Sequence, residues 1–292
     1  AYSSMLLFNI LDVRTSSPGP IADSLPSDCN ETLTSLKLVF NTVCKETYQE
    51  SYNDAIFYRD ELREEFHYGQ ATLRERALGE NIYLAVLQKI AIILPQLKRV
   101  PPELENLPEL LSDIYYGNFS VFQSLPDIWA IDQLFPIMPI HRLNEQPTRS
   151  VVLADLTCDC DGKIDHFATP EGISRTLKLH ALEPGEDYYL SVFLVGAYQE
   201  TLGDLHNLFG DTNVVNVAID ADGTFEFDRE FHGDSISDVL SYVEYEPKQM
   251  QEKFRLVAED AVRSGKITIA QRQEILRAFK ESLYGYTYFE HE

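Results

Sequence analysis

A chain of 292 residues with 44% hydrophobic side chains is long enough for two compact units with their own cores. It carries 47 acidic and 24 basic residues, a formal net charge of −23, which argues against nucleic acid and anionic membrane surfaces as partners and suits a cationic small molecule. No apolar run has the length expected of a bilayer span, and residues 5–11 lack the basic flank and cleavage site of a signal peptide. The four cysteines, at 29, 44, 158 and 160, are too few and too oddly spaced for a disulfide framework, so a reducing compartment is expected. A chain beginning at Ala1 is expected to be a fragment or one product of a processed precursor.

Residues 3–13 read as an apolar strand, and Ser16 to Pro26, with three prolines and a glycine, as a linker. From Asp28 the texture becomes helical. Asp28 with Glu31 suggests a capping box, and Leu33, Leu36, Phe40, Val43 and Thr47 recur at helical spacing. A second periodic segment runs from Ala71 to Leu94, offering Leu73, Ala77, Ile82, Ala85 and Ile92 for burial before Pro95, Pro101 and Pro102 end it. Cys29 and Cys44 are expected to be small core residues. Residues 115–140 return to aromatic strand-and-turn texture around the single tryptophan, Trp129. Strands follow at about 150–157, 188–195, 213–220 and 224–228, with turn signals at Pro184-Gly185 and Asp222-Gly223. Few helical patterns separate them, which predicts a largely antiparallel sheet or barrel. The tail is helical again: Pro247 opens a helix carrying Met250, Phe254, Val257 and Ala261. Thr268 with Gln271 caps a last one carrying Ile275, Phe279 and Leu283.

One stretch concentrates the chemistry. Val151 to Leu156 reads as a buried strand, and it ends in Thr-Cys-Asp-Cys-Asp-Gly, with Gly162 allowing a sharp bend. Buried carboxylates need a cation, so this turn looks prepared for a positively charged guest. A thiol between carboxylates is better suited to donate a proton than to attack. Cys158, Cys160, His166 and His206 could be proposed as zinc ligands, but C-x-C is not a common structural zinc spacing. A second constellation runs from Gly196 to Asp211, after the apolar strand Tyr189 to Val195. It carries three glycines with Tyr198, His206 and Asn207. Such a turn can hold a phosphate through backbone N–H groups and a tyrosine hydroxyl, or it can be an ordinary structural turn.

The stretch from Leu156 to Asp165 resembles the Leu-Thr-Cys-Asp-Ser-Asp-Gly signature of biosynthetic arginine decarboxylases, with Cys160 standing where serine is usual. Leu194 to Glu200, Asp204 to Thr212, Asn118 to Asp127 and the closing Leu283 to Tyr288 resemble the same family, in the same order along the chain. The resemblance implies an α+β fold: a mainly antiparallel β-domain, sandwich- or barrel-like, interrupted by an inserted helical bundle and followed by a helical tail. The family's TIM-like barrel, with its Schiff-base lysine, is expected to be absent. The boundaries expected are 1–15 for the first strand, 16–113 for the bundle, 114–245 for the rest of the β-domain and 246–292 for the tail.

By the same resemblance Cys158 is the catalytic residue reaching a site across a dimer interface. Asp159 meets the substrate's cationic end, and Tyr198 contacts the phosphate of pyridoxal phosphate; comparison with related ornithine decarboxylases gives Asp132 a second substrate-side carboxylate position. No residue is assigned to a metal, although magnesium accompanies the family. The chemistry is coherent, since paired carboxylates suit a planar guanidinium. The function implied is decarboxylation of L-arginine to agmatine for polyamine synthesis, in the cytoplasm or, in a photosynthetic eukaryote, the chloroplast. It would require the N-terminal barrel portion as partner, in a homodimer or dimer of dimers, with no nucleic acid or membrane. The alternatives are a non-catalytic regulatory paralogue that pairs with a true decarboxylase, and decarboxylation of a different basic amino acid.

Overall fold

A computed structural model describes residues 4–23, 25–26, 28–170, 172–183, 185–196 and 198–290. Ala1, Ser3 of the first expected strand, Ser24 of the linker, Pro184 of one turn signal and Ala197 of the Gly-Ala-Tyr motif lie outside the described residues. The fold is α+β, with one apolar core in a sheet and a second in a helical bundle.

Strand β1 (Leu6–Arg14) comes first, and the described residues of the linker that follows have no regular structure. The bundle is built on α1 (Glu31–Thr42), α2 (Tyr48–His67) and α3 (Leu73–Ile93). The cap of α1 is Asn30, whose side chain accepts from the N–H groups of Thr32 and Leu33, and not the expected Asp28. The first helical pattern is also two helices rather than one. Val43 is extended, and the Thr47 hydroxyl donates to Thr42 O and accepts from Cys44 N–H, so local side-chain bonds replace the ladder there. Cys44 is consequently exposed, against the expectation of a core position. A third helix opens at an unforeseen Thr72/Glu75 capping box. Of its expected core residues, Ile82 and Ala85 are buried, whereas Leu73, Ala77 and Ile92 face out.

Residues Leu73–Gln96 are long and apolar enough to cross a membrane by length and composition, which corrects the expectation that no segment is. Their apolar character has an internal use. Ile82, Val86, Leu87 and Ile90 pack against Leu33, Leu36 and Leu62 in the bundle core. Two lysines, unremarked in the sequence, flank Phe40: Lys37 and Lys89 lie 4.7 and 3.7 Å from its ring centre, and Lys89 donates to Phe40 O at 2.6 Å. Burial, then the charge of Lys37, lowers the Lys89 pKa.

After a short helix, α4 (Leu107–Leu110), the chain re-enters the sheet as β2 (Asp113–Gly117). Helices α5 (Val121–Ser124) and α6 (Pro126–Ile131) then lead to β3 (Ile137–Pro139) and β4 (Arg149–Ala154). Four short strands follow that the sequence pattern does not reveal: β5 (Lys163–Ile164), β6 (Phe167–Thr169), β7 (Gly172–Ser174) and β8 (Leu177–Leu179). Strand β9 (Tyr189–Val192) completes the main sheet. Its order is β3-β9-β1-β2-β4-β5, with β8 also paired to β4. All these pairs are antiparallel except β2 with β4, where Asp113 to Tyr116 run parallel to Val151 to Ala154. The crossover through α5, α6 and β3 makes that possible, and it qualifies the expectation of a mainly antiparallel domain.

Phe8, Ile10, Tyr115, Val151, Leu153, Leu190 and Val192 fill the sheet core. Asp113 joins it to the linker. Its buried carboxylate accepts from Arg149 at 2.6 Å and from Ser16 N–H at 3.0 Å, while Arg149 also donates to the Ser17 hydroxyl. Burial, and next the Asp113 charge, pushes the neighbouring Tyr115 hydroxyl up to about 12.

A separate hairpin, β10 (Val214–Ile219) with β11 (Phe225–Phe231), carries exposed residues along nearly its whole length. The tail consists of α7 (Ile236–Tyr242), α8 (Pro247–Arg263) and α9 (Ile269–Leu283). Capping boxes open α7 at Ser235 and α9 at Thr268, and Phe254 stacks on Phe279 at 4.1 Å.

Candidate functional site

Strand β4 delivers Asp155 to the edge of the sheet, and Asp155 builds the turn. Its buried carboxylate accepts from Thr157 N–H (2.8 Å), the Thr157 hydroxyl (2.7 Å) and Val121 N–H (2.8 Å), while its own N–H donates to Gly162 O. Four polar contacts close a loop from 155 to 162. The buried Asp155 carboxylate is therefore satisfied by neutral donors and needs no cation. Gly162 lies at the bend foreseen and serves a second purpose there. A Cβ there would lie 2.3 Å from both Asp155 Oδ1 and Thr157 Oγ1, so glycine makes room for the carboxylate. The pattern Asp-x-Thr is an Asx-turn signal that could have identified Asp155.

The tip of the loop, Cys158 to Asp161, stands outside this anchor. Cys158 is exposed, and its N–H donates to Asn207 Oδ1 at 3.1 Å. Asp159 Oδ2 lies 3.7 Å from His206 Nε2. Asn207 and Leu208 are consecutive non-glycine residues at positive φ, 57° and 61°, an uncommon arrangement maintained by its surroundings. Ligand atoms of Asp159, Cys160 and Asp161 fall within 4.8 Å of one another, the one such group among the described residues. Cys158, Cys160, His166 and His206 form no such group. Two carboxylates with a thiol do not match the oxygen set magnesium requires, so the group does not fit that ion.

The surroundings of residues 206–208 are closed by the tail. Thr287 accepts from Gly210 N–H, the Tyr288 hydroxyl donates to Gly210 O at 2.9 Å, and Tyr286 accepts from Asn213 N–H. The Tyr288 ring lies 5.3 Å from Phe209, and its burial drives the phenol pKa strongly upward. On the other side Phe122 packs between His206 (4.7 Å) and Trp129 (5.5 Å).

Trp129 sits on α6, whose two ends matter. At the first turn, Asp127 and the buried side chain of Gln199 exchange two hydrogen bonds, of 2.6 and 3.2 Å. Gln199 adjoins Tyr198, which is 76% exposed. At the other end Asp132 caps the helix with left-handed backbone, φ 54°. It lines a cleft of about 470 Å³ with Trp129, Asp161, Lys163, Asp165 and His166. Within that cleft burial works against the charge on Asp165, but hydrogen bonds from Lys163 and His166, both at 2.8 Å, outweigh it and hold its pKa below the usual carboxylate value. Asp132 thus shares a cleft with Asp161, and Asp159 is not among the side chains that line it. Cys158 and Asp159 are joined to the 206–207 segment, while Tyr198 and Asp132 are linked to each other through α6.

Residues 26–108 match the arginine decarboxylase helical bundle domain, and residues 236–289 match the arginine decarboxylase C-terminal helical extension. Over 99% of its length the chain is 45% identical to the biosynthetic arginine decarboxylase of Nostoc sp.. The chain carries two arginine decarboxylase domains and matches biosynthetic arginine decarboxylases along almost its whole length. The match covers 42% of the Nostoc protein, and a second relative, from Thermosynechococcus vestitus, is 45% identical over 99% of this chain and 45% of its own length. The chain therefore spans less than half the length of these curated decarboxylases. The crystal structure of the biosynthetic arginine decarboxylase SpeA from Campylobacter jejuni superposes with a TM-score of 0.77 at 28% identity, covering 99% of this chain and 46% of that one. The similarity takes in the bundle and the tail as well as the turn at Cys158. Sequence reasoning finds no functional residue in either helical unit.

Proposed function

We propose that this chain supplies the substrate-facing part of a pyridoxal phosphate-dependent arginine decarboxylase, which makes agmatine and CO₂ once the rest of the polypeptide is present. One observation carries the reading. The Cys158–Asp159 turn is fixed from beneath by Asp155 and from the side by Asn207, yet its thiol faces outward. A thiol on a rigid turn, with exposed Trp129 and Tyr198 also in this region, suits a site completed by another protein surface. We assign that surface to the barrel portion, in a cytoplasmic homodimer or dimer of dimers.

Tyr198 fits the cofactor in chemistry, because its exposed hydroxyl is available to a phosphate oxygen. Pyridoxal phosphate, when bound, accepts the electron pair left as CO₂ departs. This chain's residues do the remaining work. Asp159 and Asp132 present carboxylates to a guanidinium, whose planar pairs of donors match them. Cys158 holds a proton for return to Cα.

The test is reconstitution. The 292-residue chain alone should release no CO₂ from arginine, and adding the remaining portion of the enzyme should restore agmatine production. Decarboxylation by the isolated chain, or none after demonstrated assembly, would remove the reading.

A further inference from the structure

His206 Nε2 is shut off from solvent and has no hydrogen-bond partner. Buried polar nitrogens are rarely left so, because an unmade bond costs the full desolvation of the group. The facing acceptor is Asp159 Oδ2, 3.7 Å away on a half-exposed side chain, slightly beyond bonding distance. Two features aim the ring. Phe122, itself buried, packs on it at 4.7 Å, and the left-handed Asn207 turns the following backbone so that its own amide holds Cys158. Residues 206 and 207 therefore reach both halves of the Cys158–Asp159 pair.

We infer that His206 is the positioning residue for Asp159, donating Nε2–H to Oδ2 so that Oδ1 is left for the cationic end of the substrate. A small rotation of the Asp159 side chain closes the remaining gap and satisfies the buried nitrogen. The carboxylate then has one fixed orientation toward the guest, whereas a free aspartate would sample several. The inference rests on the substrate role proposed above for Asp159. It goes further by giving His206 a task that is neither metal binding nor core packing.

Two substitutions separate donor from bulk. His206→Phe keeps a ring on Phe122 and removes the nitrogen, and His206→Gln keeps a donor of similar reach. In the reconstituted enzyme His206→Phe should raise the KM for arginine about fivefold, the size expected of a half-exposed charged contact, with kcat within about twofold. His206→Gln should recover most of that loss. In an Asp159→Asn background His206→Phe should add nothing to KM. A fully additive KM increase, or an equal loss in His206→Gln, overturns the positioning role. Thermal unfolding of the parent, His206→Phe, Asp159→Asn and their double variant keeps the two readings apart, since non-additive Tm shifts report the His206–Asp159 contact without any substrate. Non-additive Tm with an unchanged KM in Asp159→Asn would support the contact and remove the substrate role. Additive Tm shifts would overturn the contact itself.

Discussion

Asp155 and Gly162 occupy one volume: the place where a Cβ of residue 162 would stand is 2.3 Å from the Asp155 carboxylate. Gly162→Ala must therefore expel the carboxylate from its three donors or push the loop outward. The expected cost is about 1–3 kcal/mol from overpacking, and more if the carboxylate is left buried and unpaired. Urea unfolding of the variant measures it, and a cost under ~0.5 kcal/mol would show that the loop gives way freely.

Asp211 offers a pH-dependent prediction. Burial, and then the charge of Asp234, raises its pKa, with the hydrogen bond from Gln123 acting in the opposite direction. The folded state thus holds a proton more tightly than the unfolded state. Stability then falls as pH rises from the ordinary aspartate value of about 3.9 through the raised one. Asp211→Asn keeps an acceptor for Gln123 and abolishes the charge. Its Tm should exceed that of the parent by about 1–2 °C at pH 7, a gain kept small by solvent exposure, and the gain should vanish at acid pH. Equal gains at both pH values would assign the effect to something other than titration.

Tyr288→Phe should uncouple the tail from the site. Without the phenol, Gly210 O loses its bond, at a cost of about 1–2 kcal/mol. Because Gly210 follows the left-handed pair Asn207–Leu208, amide hydrogen exchange at Cys158 should accelerate while exchange in the bundle stays unchanged. Uniform acceleration across the chain would mean a merely global loss of stability.

Cys158→Ala and Asp159→Asn should differ in the reconstituted enzyme. The first should lower kcat with little change in KM and yield some product protonated at the wrong carbon. The second should act mainly on KM, by about tenfold for a half-exposed contact with a guanidinium. Both should retain the parent Tm within about 2 °C, since neither side chain anchors the loop. Two destabilised proteins making agmatine alone would leave Cys158 and Asp159 as shapers of the turn.

Periodicity revealed the long elements because burial there repeats over many residues. Leu33, Leu36, Ile82 and Ala85 are in the core where the pattern places them. It failed where one local bond decides. Thr47 breaks a helix that no glycine or proline interrupts, and Asn30 takes the cap from Asp28. Strands of two or three residues, such as Lys163–Ile164, are too short for any period to register and are recruited by β4. At the turn, the motif residues were legible by resemblance, but their supports were not. Asp155 lies inside the apolar run with nothing in the hydrophobic pattern to single it out, and the bond from Cys158 to Asn207 joins residues 49 apart.

The order of strands has a consequence in time. β1 is made before the bundle, yet its Leu6 pairs with Val192 on one side and its Arg14 with Ile114 on the other. At 5–20 residues per second, a ribosome needs roughly 10–40 s to bring β9 within reach of β1. The bundle, whose helices follow one another closely, can condense during that interval. One edge of β1, with Leu6, Phe8 and Ile10, waits unpaired throughout, a template for any strand that reaches it first.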